Sequence, residues 1–226
     1  MKYYRLSYNA LNEKVTGTQF QCITGYFGDM QNDDLPFEGK IDFDFDLPIP
    51  KLEAKAKLTA FLKVMFIDGP FLVLENDFIT FLKKFNFDEI QTWAIEIKQK
   101  DQTYYNYSLF YVPKTYQSEV INFKDSDFFS CDFFNHNNNI KKEEIKDYEN
   151  YLKIREKVDN DNRILKYNTL VLNLSNFDKD FFRLINCPFS GYFVSERLKE
   201  AIEREGFQSM RFEDIESIDN QIMVNY

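Results

Sequence analysis

The sequence predicts an α+β fold with mixed or antiparallel sheets and about three to four helices, arranged in two lobes. Apolar residues recur with a period of two in several short segments, as in half-buried strands, and with a helical period in a few others. The predicted strands cluster and do not alternate regularly with helices, so a parallel α/β sheet is not expected. The length of 226 residues suits two lobes. We place them at residues 1–115 and 116–226, with a single compact domain as the alternative.

The first elements are strands and turns over residues 3–46. Residues 41–47 alternate strictly between apolar and acidic side chains, which is the pattern of a half-buried strand. Pro48 and Pro50 should end this strand, because proline cannot donate to a strand ladder. A helix is then predicted over residues 52–66 by apolar residues at helical spacing, namely Leu58, Phe61, Leu62 and Met65.

The middle of the chain continues this mixture. A short apolar strand over 71–74 precedes a second helix over 76–85. Residues 92–98 and 104–112 are predicted strands, and the polar stretch 99–102 indicates a hairpin with a longer loop.

Four further segments follow before the C-terminal region. Residues 120–123 are a strand candidate, and the asparagine-rich stretch 135–139 is predicted to be a mobile loop. Residues 141–158 predict a charged helix, and residues 164–174 predict a strand.

The clearest local structure lies near the C-terminus. After a strand over 192–194, Ser195 is a good N-cap for a helix with an apolar stripe. Gly206 stands where a left-handed residue ends a helix, and Phe207 should then lie against Ile202. The chain should return as a strand over 210–215.

The strand–helix unit over residues 71–85 resembles the strand–helix unit that begins at residue 192 when the sequence is shifted by 120 residues. This internal similarity favours two lobes related by an old duplication, although any two strand–helix units could align this well. The matched pairs are Leu74 with Val194, Phe78 with Leu198, Phe81 with Ala201, Leu82 with Ile202, and Phe87 with Phe207.

Charge and hydropathy exclude several classes of protein. The chain has 28 Lys and Arg against 37 Asp and Glu, a net charge of −9. This balance argues against binding to nucleic-acid phosphates. It either favours a basic partner or only keeps the protein soluble. No apolar run approaches the length of a membrane span, so no membrane partner is expected. Residues 1–8 lack the apolar stretch of a signal peptide, which predicts a cytoplasmic protein.

The usual catalytic and cofactor motifs are missing from the sequence. The three cysteines (Cys22, Cys131 and Cys187) are too widely spaced for a zinc knuckle, and the single histidine, His136, lies in a polar stretch. No glycine-rich phosphate loop is present. We therefore expect no cofactor, no bound metal and no catalytic residues.

The strongest candidate site is the acidic alternation, in which Asp42, Asp44 and Asp46 should share one face. Such a face could be the solvated side of an edge strand, a contact for Lys and Arg of a partner, or a Mg²⁺ or Ca²⁺ site. Aromatic residues often anchor protein interfaces. We therefore add three tyrosines of the 104–112 strand as partner-binding candidates, namely Tyr104, Tyr105 and Tyr107.

Several motifs resemble a bacterial immunity-protein family of polymorphic toxin systems, formerly known only as an uncharacterised domain. The resemblance covers about residues 45–215, in matching order and spacing. Two positions depart from the family pattern: Ala60 replaces an aspartate, and Ser209 replaces a glycine. The motifs are LPIP at 47–50, AKLTAFL at 56–62, VLENDFITFLKKF at 73–85, INFKDS at 121–126, DFFRL at 180–184, VSERLKEAI at 194–202 and GFQSMRF at 206–212.

The resemblance implies a cytoplasmic binding protein that blocks a cognate toxin by stoichiometric occlusion and has no enzymatic activity. An acidic inhibitor associates faster with a basic toxin, such as a nuclease. Two alternatives remain open from the residues: a metal-dependent hydrolase that uses the acidic face, and an adaptor that binds some other protein. The sequence leaves the oligomeric state open.

Overall fold

A computed structural model describes residues 1–31, 35–65, 67 and 70–226 of the chain. Its α-helices are α1 (Glu13–Thr16), α2 (Asn76–Leu82), α3 (Gln117–Val120), α4 (Tyr148–Asn160), α5 (Glu196–Glu205) and α6 (Ile215–Ile218). Its strands are β1 (Tyr3–Tyr8), β2 (Cys22–Tyr26), β3 (Ile49–Leu52), β4 (Phe61–Leu62), β5 (Phe71–Glu75), β6 (Gln91–Gln99), β7 (Gln102–Tyr111), β8 (Asp127–Asp132), β9 (Lys141–Glu143), β10 (Arg163–Asn173), β11 (Phe181–Leu184), β12 (Gly191–Ser195), β13 (Met210–Asp214) and β14 (Ile222–Asn225).

The largest sheet has six strands in the order β2-β3-β6-β7-β5-β4 and is antiparallel except between β3 and β6. Its two edges meet where Cys22 pairs in parallel with Val64. Cys22 accepts a hydrogen bond from the Met65 amide at 2.8 Å and donates to the Lys63 carbonyl at 3.1 Å. The sheet therefore curls towards a barrel, whose interior holds buried side chains such as Ile97 and Leu109.

The other two sheets have four strands each. The antiparallel sheet β11-β12-β1-β13 places the N-terminal strand β1 between two strands of the C-terminal half. The sheet β14-β10-β8-β9 is mixed, because β14 runs parallel to β10. The α+β class with mixed sheets is therefore confirmed. The division at residues 115 and 116 stays a prediction, and the pairing of β1 joins the two segments.

Two cores lie on opposite faces of the β1-containing sheet. On one face, α2 and α5 pack against residues of β1, β5, β7 and β12. On the other face, Phe182 and Phe193 meet Phe128 of β8, Leu170 of β10 and Tyr151 of α4. The β1-containing sheet thus lies between the barrel-like sheet with its helices and the third sheet.

The two strand–helix units that resemble each other share one core. Phe207, which follows α5, contacts Phe78 and Phe81 of α2 with ring centroids 4.9 Å and 5.0 Å apart. All five matched pairs lie in this core or pack against it. The similarity therefore marks two units that pack against each other, and it gives no sign of two separate lobes.

The predicted helix over 52–66 is wrong in the described part of that range. The chain turns after β3, crosses to β4, and pairs there with β5 through Phe61 and Leu62. Leu58 and Met65, which the helical spacing placed on a buried face, are exposed. Pairing with β5 gives Phe61 and Leu62 backbone hydrogen bonds, and both side chains are buried in the cores beside the sheet.

Other predicted elements differ in extent or type. The range 141–158 begins as the short strand β9, and its helix starts only at Tyr148. The range 120–123, a strand candidate, contains no strand. Its first residue, Val120, is the last residue of the helical turn α3. The β6–β7 hairpin turns tightly, because Gln99 pairs directly with Gln102, and Lys100 takes a φ of +53°.

The C-terminal helix is confirmed in detail. The Ser195 side chain accepts a hydrogen bond from the Leu198 amide at 3.1 Å, as an N-cap does. Gly206 has a φ of +78°, and the Phe207 amide donates to the Ile202 carbonyl at 3.3 Å. The described residues contain six α-helices, of which three are single turns, so the helix count exceeds the expected three to four. None of the described helices is long and apolar enough to cross a membrane.

Candidate binding surface

The strand predicted over residues 41–47 is wrong, because these residues belong to no strand of the described structure and the backbone bends at Phe43. We call residues 41–46 the acidic segment. Its first residue is held by the Gln91 side chain. The Ile41 amide donates to Gln91 Oε1 at 2.8 Å, and Gln91 Nε2 donates to the Ile41 carbonyl at 2.7 Å. The amide of one side chain thus replaces the pair of backbone hydrogen bonds that a neighbouring strand would supply.

The other end of the acidic segment is held by a second set of contacts. The Asp46 amide donates to Asp29 Oδ2 at 2.7 Å, and the Asp29 amide donates to the Asp46 carbonyl at 3.2 Å. The Tyr26 hydroxyl donates to Asp46 Oδ2 at 2.8 Å. Phe45 packs edge-on against Trp93 with ring centroids 5.1 Å apart. The acidic segment is therefore fixed at both ends.

Between these anchors, Asp42, Phe43 and Asp44 are exposed to solvent. The Phe43 side chain is 50% exposed, although strict alternation predicted that it would face inward. Neither Asp42 nor Asp44 forms a hydrogen bond or an ion pair with another described residue. With Tyr26 nearby at 54% exposure, the surface offers free carboxylates beside accessible aromatic rings.

The three aspartates do not converge as metal ligands. Asp46 is engaged by Tyr26, which lies on the adjacent strand β2. Among the residues that the structure describes, no group of three or more His, Cys, Asp or Glu side chains is placed to hold a metal ion. His136 is exposed, with its Nδ1 atom 2.8 Å from Lys166 Nζ.

The three predicted tyrosines of β7 differ in placement. Tyr105 is 68% exposed and available to a partner, whereas Tyr104 is half-buried and donates to Gln102 Oε1. Tyr107 is fully buried inside the barrel-like sheet, where its hydroxyl donates to the Thr59 carbonyl at 3.0 Å. The structure therefore places Tyr107, predicted as a partner-binding residue, in the core and not on the surface.

The tyrosines and the acidic segment also lie at opposite ends of the β6–β7 hairpin. Gln91, which holds Ile41, pairs with Tyr111, whereas Ile97 pairs with Tyr104 near the turn. Six residues of strand separate Gln91 from Ile97, which corresponds to roughly 20 Å. The structure thus keeps Asp42, Asp44 and Asp46 together on one short segment and places Tyr105 away from them.

A buried arginine is the feature that sequence reasoning missed. Arg183 of β11 is 1% exposed, and its guanidinium lies over the Tyr111 ring at 4.9 Å. Its Nη1 donates to the Pro70 carbonyl at 3.2 Å, and its Nη2 donates to the Phe37 carbonyl. Arg183 thereby ties the backbone at Pro70 and at Phe37 to β11. The sequence feature that could have indicated a buried arginine is its place inside an apolar run, since residues 181–185 are Phe-Phe-Arg-Leu-Ile.

Two tyrosines reinforce this clamp. The Tyr111 hydroxyl donates to the Gly39 carbonyl at 2.8 Å, and the Tyr192 hydroxyl donates to the Pro70 carbonyl. Burial raises the pKa of Tyr192 to about 12, although the positive charge of Arg183 opposes the shift. The tyrosines therefore remain neutral hydrogen-bond donors at physiological pH.

A cavity of about 350 Å³ opens beside this clamp. We call it the Arg183 cavity. Its rim includes exposed residues, such as Phe37 at 47% exposure and Ser190, and its lining also includes the buried apolar residues Leu184 and Ile185. The lining residues are Phe37, Arg183, Leu184, Ile185, Asn186, Ser190, Gly191 and Tyr192.

No protein-family model matches the chain, and no curated protein of known function matches it significantly.

Proposed function

We propose that the chain is an immunity protein that binds a basic cognate toxin and neutralises it by stoichiometric occlusion. The observation that carries the proposal is the acidic segment, in which Asp42, Phe43 and Asp44 are exposed between two anchored ends. The sequence resemblance to toxin-immunity proteins supports the same function. In this proposal the protein acts by covering its partner and catalyses no reaction.

The anchoring of the acidic segment supports a role in binding. A segment that is already fixed loses little conformational entropy when a partner docks, so more of the contact energy appears as affinity. Gln91 at one end and Asp29 at the other supply this fixation through backbone hydrogen bonds.

The negative charge of the chain supports a basic protein as the partner. Asp42 and Asp44 lie on a chain of net charge −9, so a basic protein is attracted both by the whole molecule and by this surface. Complementary charge raises the association rate and selects against acidic partners. Phe43 and Tyr26 add apolar contact area beside the carboxylates, as the aromatic anchors of protein interfaces do.

The proposal can be tested with the C-terminal domain encoded by the gene immediately upstream, once that domain has been shown to be toxic. Purified protein should bind that domain with 1:1 stoichiometry in isothermal titration calorimetry. The double variant Asp42→Lys with Asp44→Lys should bind about tenfold or more weakly, because two attractive charges become repulsive. Surface plasmon resonance should show much of the loss in the association rate.

A matched control changes the net charge equally at another place. Glu156 of α4 and Glu200 of α5 are exposed, and neither forms an ion pair with a described residue. The double variant Glu156→Lys with Glu200→Lys should keep most of the affinity. Equal losses in the two double variants would show that only net charge matters and would remove the acidic segment from the proposal. Absence of binding by the unaltered protein to a toxic neighbour would contradict the proposed function.

A further inference from the structure

We propose that the Arg183 cavity binds a small monocarboxylate with an apolar body. This site is separate from the acidic segment and does not depend on the proposed toxin binding. Arg183 is 1% exposed, lines the cavity, and forms no ion pair with a carboxylate among the described residues. A ligand carboxylate would supply the missing negative charge.

The positive charge of Arg183 is not balanced by a carboxylate among the described residues. The guanidinium carries five N–H donors, and its two carbonyl partners, Pro70 and Phe37, engage only Nη1 and Nη2. Its Nε is buried without a hydrogen-bond partner in the described part of the chain. Buried charges are normally paired, because leaving one without a counter-charge is costly. A carboxylate bound in the cavity would supply this counter-charge.

The lining of the cavity indicates the class of ligand. Its volume of about 350 Å³ lies at the lower end of the range of small-molecule sites, which is roughly 300–1,000 Å³. Arg183 is the one cationic residue among the described residues of the lining, which suits a single negative charge better than a phosphate dianion. Leu184, Ile185 and the rings of Phe37 and Tyr192 would contact an apolar or aromatic body.

The rim offers a route of entry. Phe37 is half-exposed, and its backbone carbonyl, not its ring, accepts the bond from Arg183. The Phe37 ring can therefore be removed without deleting a partner of the guanidinium. Ser190 on the opposite rim is exposed and is held by hydrogen bonds to the backbone of Cys187.

The test is a titration of the full-length protein with phenylacetate, followed by amide chemical shifts in two-dimensional NMR. We expect saturable shifts centred on residues 183–192. Phenylacetamide has nearly the same shape without the charge, and it should bind about tenfold or more weakly, as the loss of a charge-assisted pair predicts. Inorganic phosphate should also bind more weakly than phenylacetate.

Two pairs of variants locate the site. Arg183→Met should abolish the saturable shifts, whereas Arg204→Met, which removes an exposed arginine of α5, should not. Phe37→Ala should weaken binding at least about threefold through lost apolar contact. Its matched control is Phe43→Ala, because Phe43 is similarly exposed at 50% but lies outside the lining. If Arg183→Met fails to fold, the Phe37 pair and the two ligands decide the question.

Three results would overturn the proposal. The first is the absence of saturable phenylacetate binding at high millimolar concentration. The second is equal binding of phenylacetate and its amide, or tighter binding of phosphate than of phenylacetate. The third is equal loss of affinity in Phe37→Ala and Phe43→Ala.

Discussion

At the scale of single residues, Asp180 is the most heavily used buried carboxylate in the described structure. It accepts hydrogen bonds from the Ser195 hydroxyl at 2.6 Å, from Arg197 Nε at 3.1 Å and from the Asn86 amide at 2.9 Å. Burial by itself would raise the pKa of Asp180, but these donors and the charge of Arg197 outweigh it and lower the pKa below its usual range. Asp180 therefore joins the loop after α2 to the start of α5.

Replacing Asp180 with Asn should destabilise the protein by about 2 kcal/mol at pH 7, because the donors lose their charged acceptor. The folded-state pKa is lowered, so this contribution is fully present above the ordinary aspartate pKa, near about 3.9, and is lost as pH falls through the folded-state value. Urea denaturation from pH 7 to pH 3 should show the gap between the unaltered protein and Asp180→Asn shrinking as pH falls.

The matched control for this prediction is Asp44→Asn, which removes an exposed carboxylate without a described partner. It should change the free energy of unfolding by less than about 0.5 kcal/mol. A gap for Asp180→Asn that stays constant with pH, or an equal loss in the control, would contradict the role given to Asp180.

At the scale of secondary structure, α5 was predictable from sequence because its ends are fixed by local chemistry. Ser195, Gly206 and Phe207 each act within a few residues of their own position. The acidic segment was predicted less well. Its carboxylates point outward as expected, but it is held by the Gln91 side chain, 50 positions away, and a pattern of alternation cannot reveal such a partner.

The failed helix over 52–66 has a similar cause. Its apolar spacing fitted a helix, yet Phe61 pairs with Leu74 and Leu62 with Val73 in a sheet whose other strands come from distant parts of the chain. Strand formation depends on the neighbouring strands more than on intrinsic preference. Long-range pairing therefore overrode the local periodicity.

Gly206 gives a prediction at this same scale. Its φ is +78°, and a Cβ added there would meet no other atom within 4 Å. Gly206→Ala should therefore cost only the left-handed backbone conformation, about 1 kcal/mol. Gly206→Asn should cost less, because asparagine tolerates this conformation better. Chemical denaturation can measure both, and a larger loss for Asn than for Ala would contradict this explanation of the helix end.

At the scale of the whole molecule, charge and class were predictable, whereas the assembly of the sheets was not. Composition fixed the acidic balance, and the patterns indicated an α+β fold. The insertion of β1 between β12 and β13 pairs Tyr4 with Val194 and with Asp214, which are 190 and 210 positions away, and no local pattern predicts it. The same limit applies to Arg183, whose role depends on carbonyls supplied by Pro70 and Phe37 from distant loops.

The central claim is that this chain protects a cell from a basic toxin through the acidic segment, and a survival assay tests it most directly. The toxin domain encoded by the neighbouring gene, first shown to be toxic, is expressed from an inducible promoter together with each variant. The unaltered protein and Glu156→Lys with Glu200→Lys should restore survival, whereas Asp42→Lys with Asp44→Lys should not. Failure of the unaltered protein to rescue the cells, or full rescue by the Asp42 and Asp44 double variant, would contradict the account.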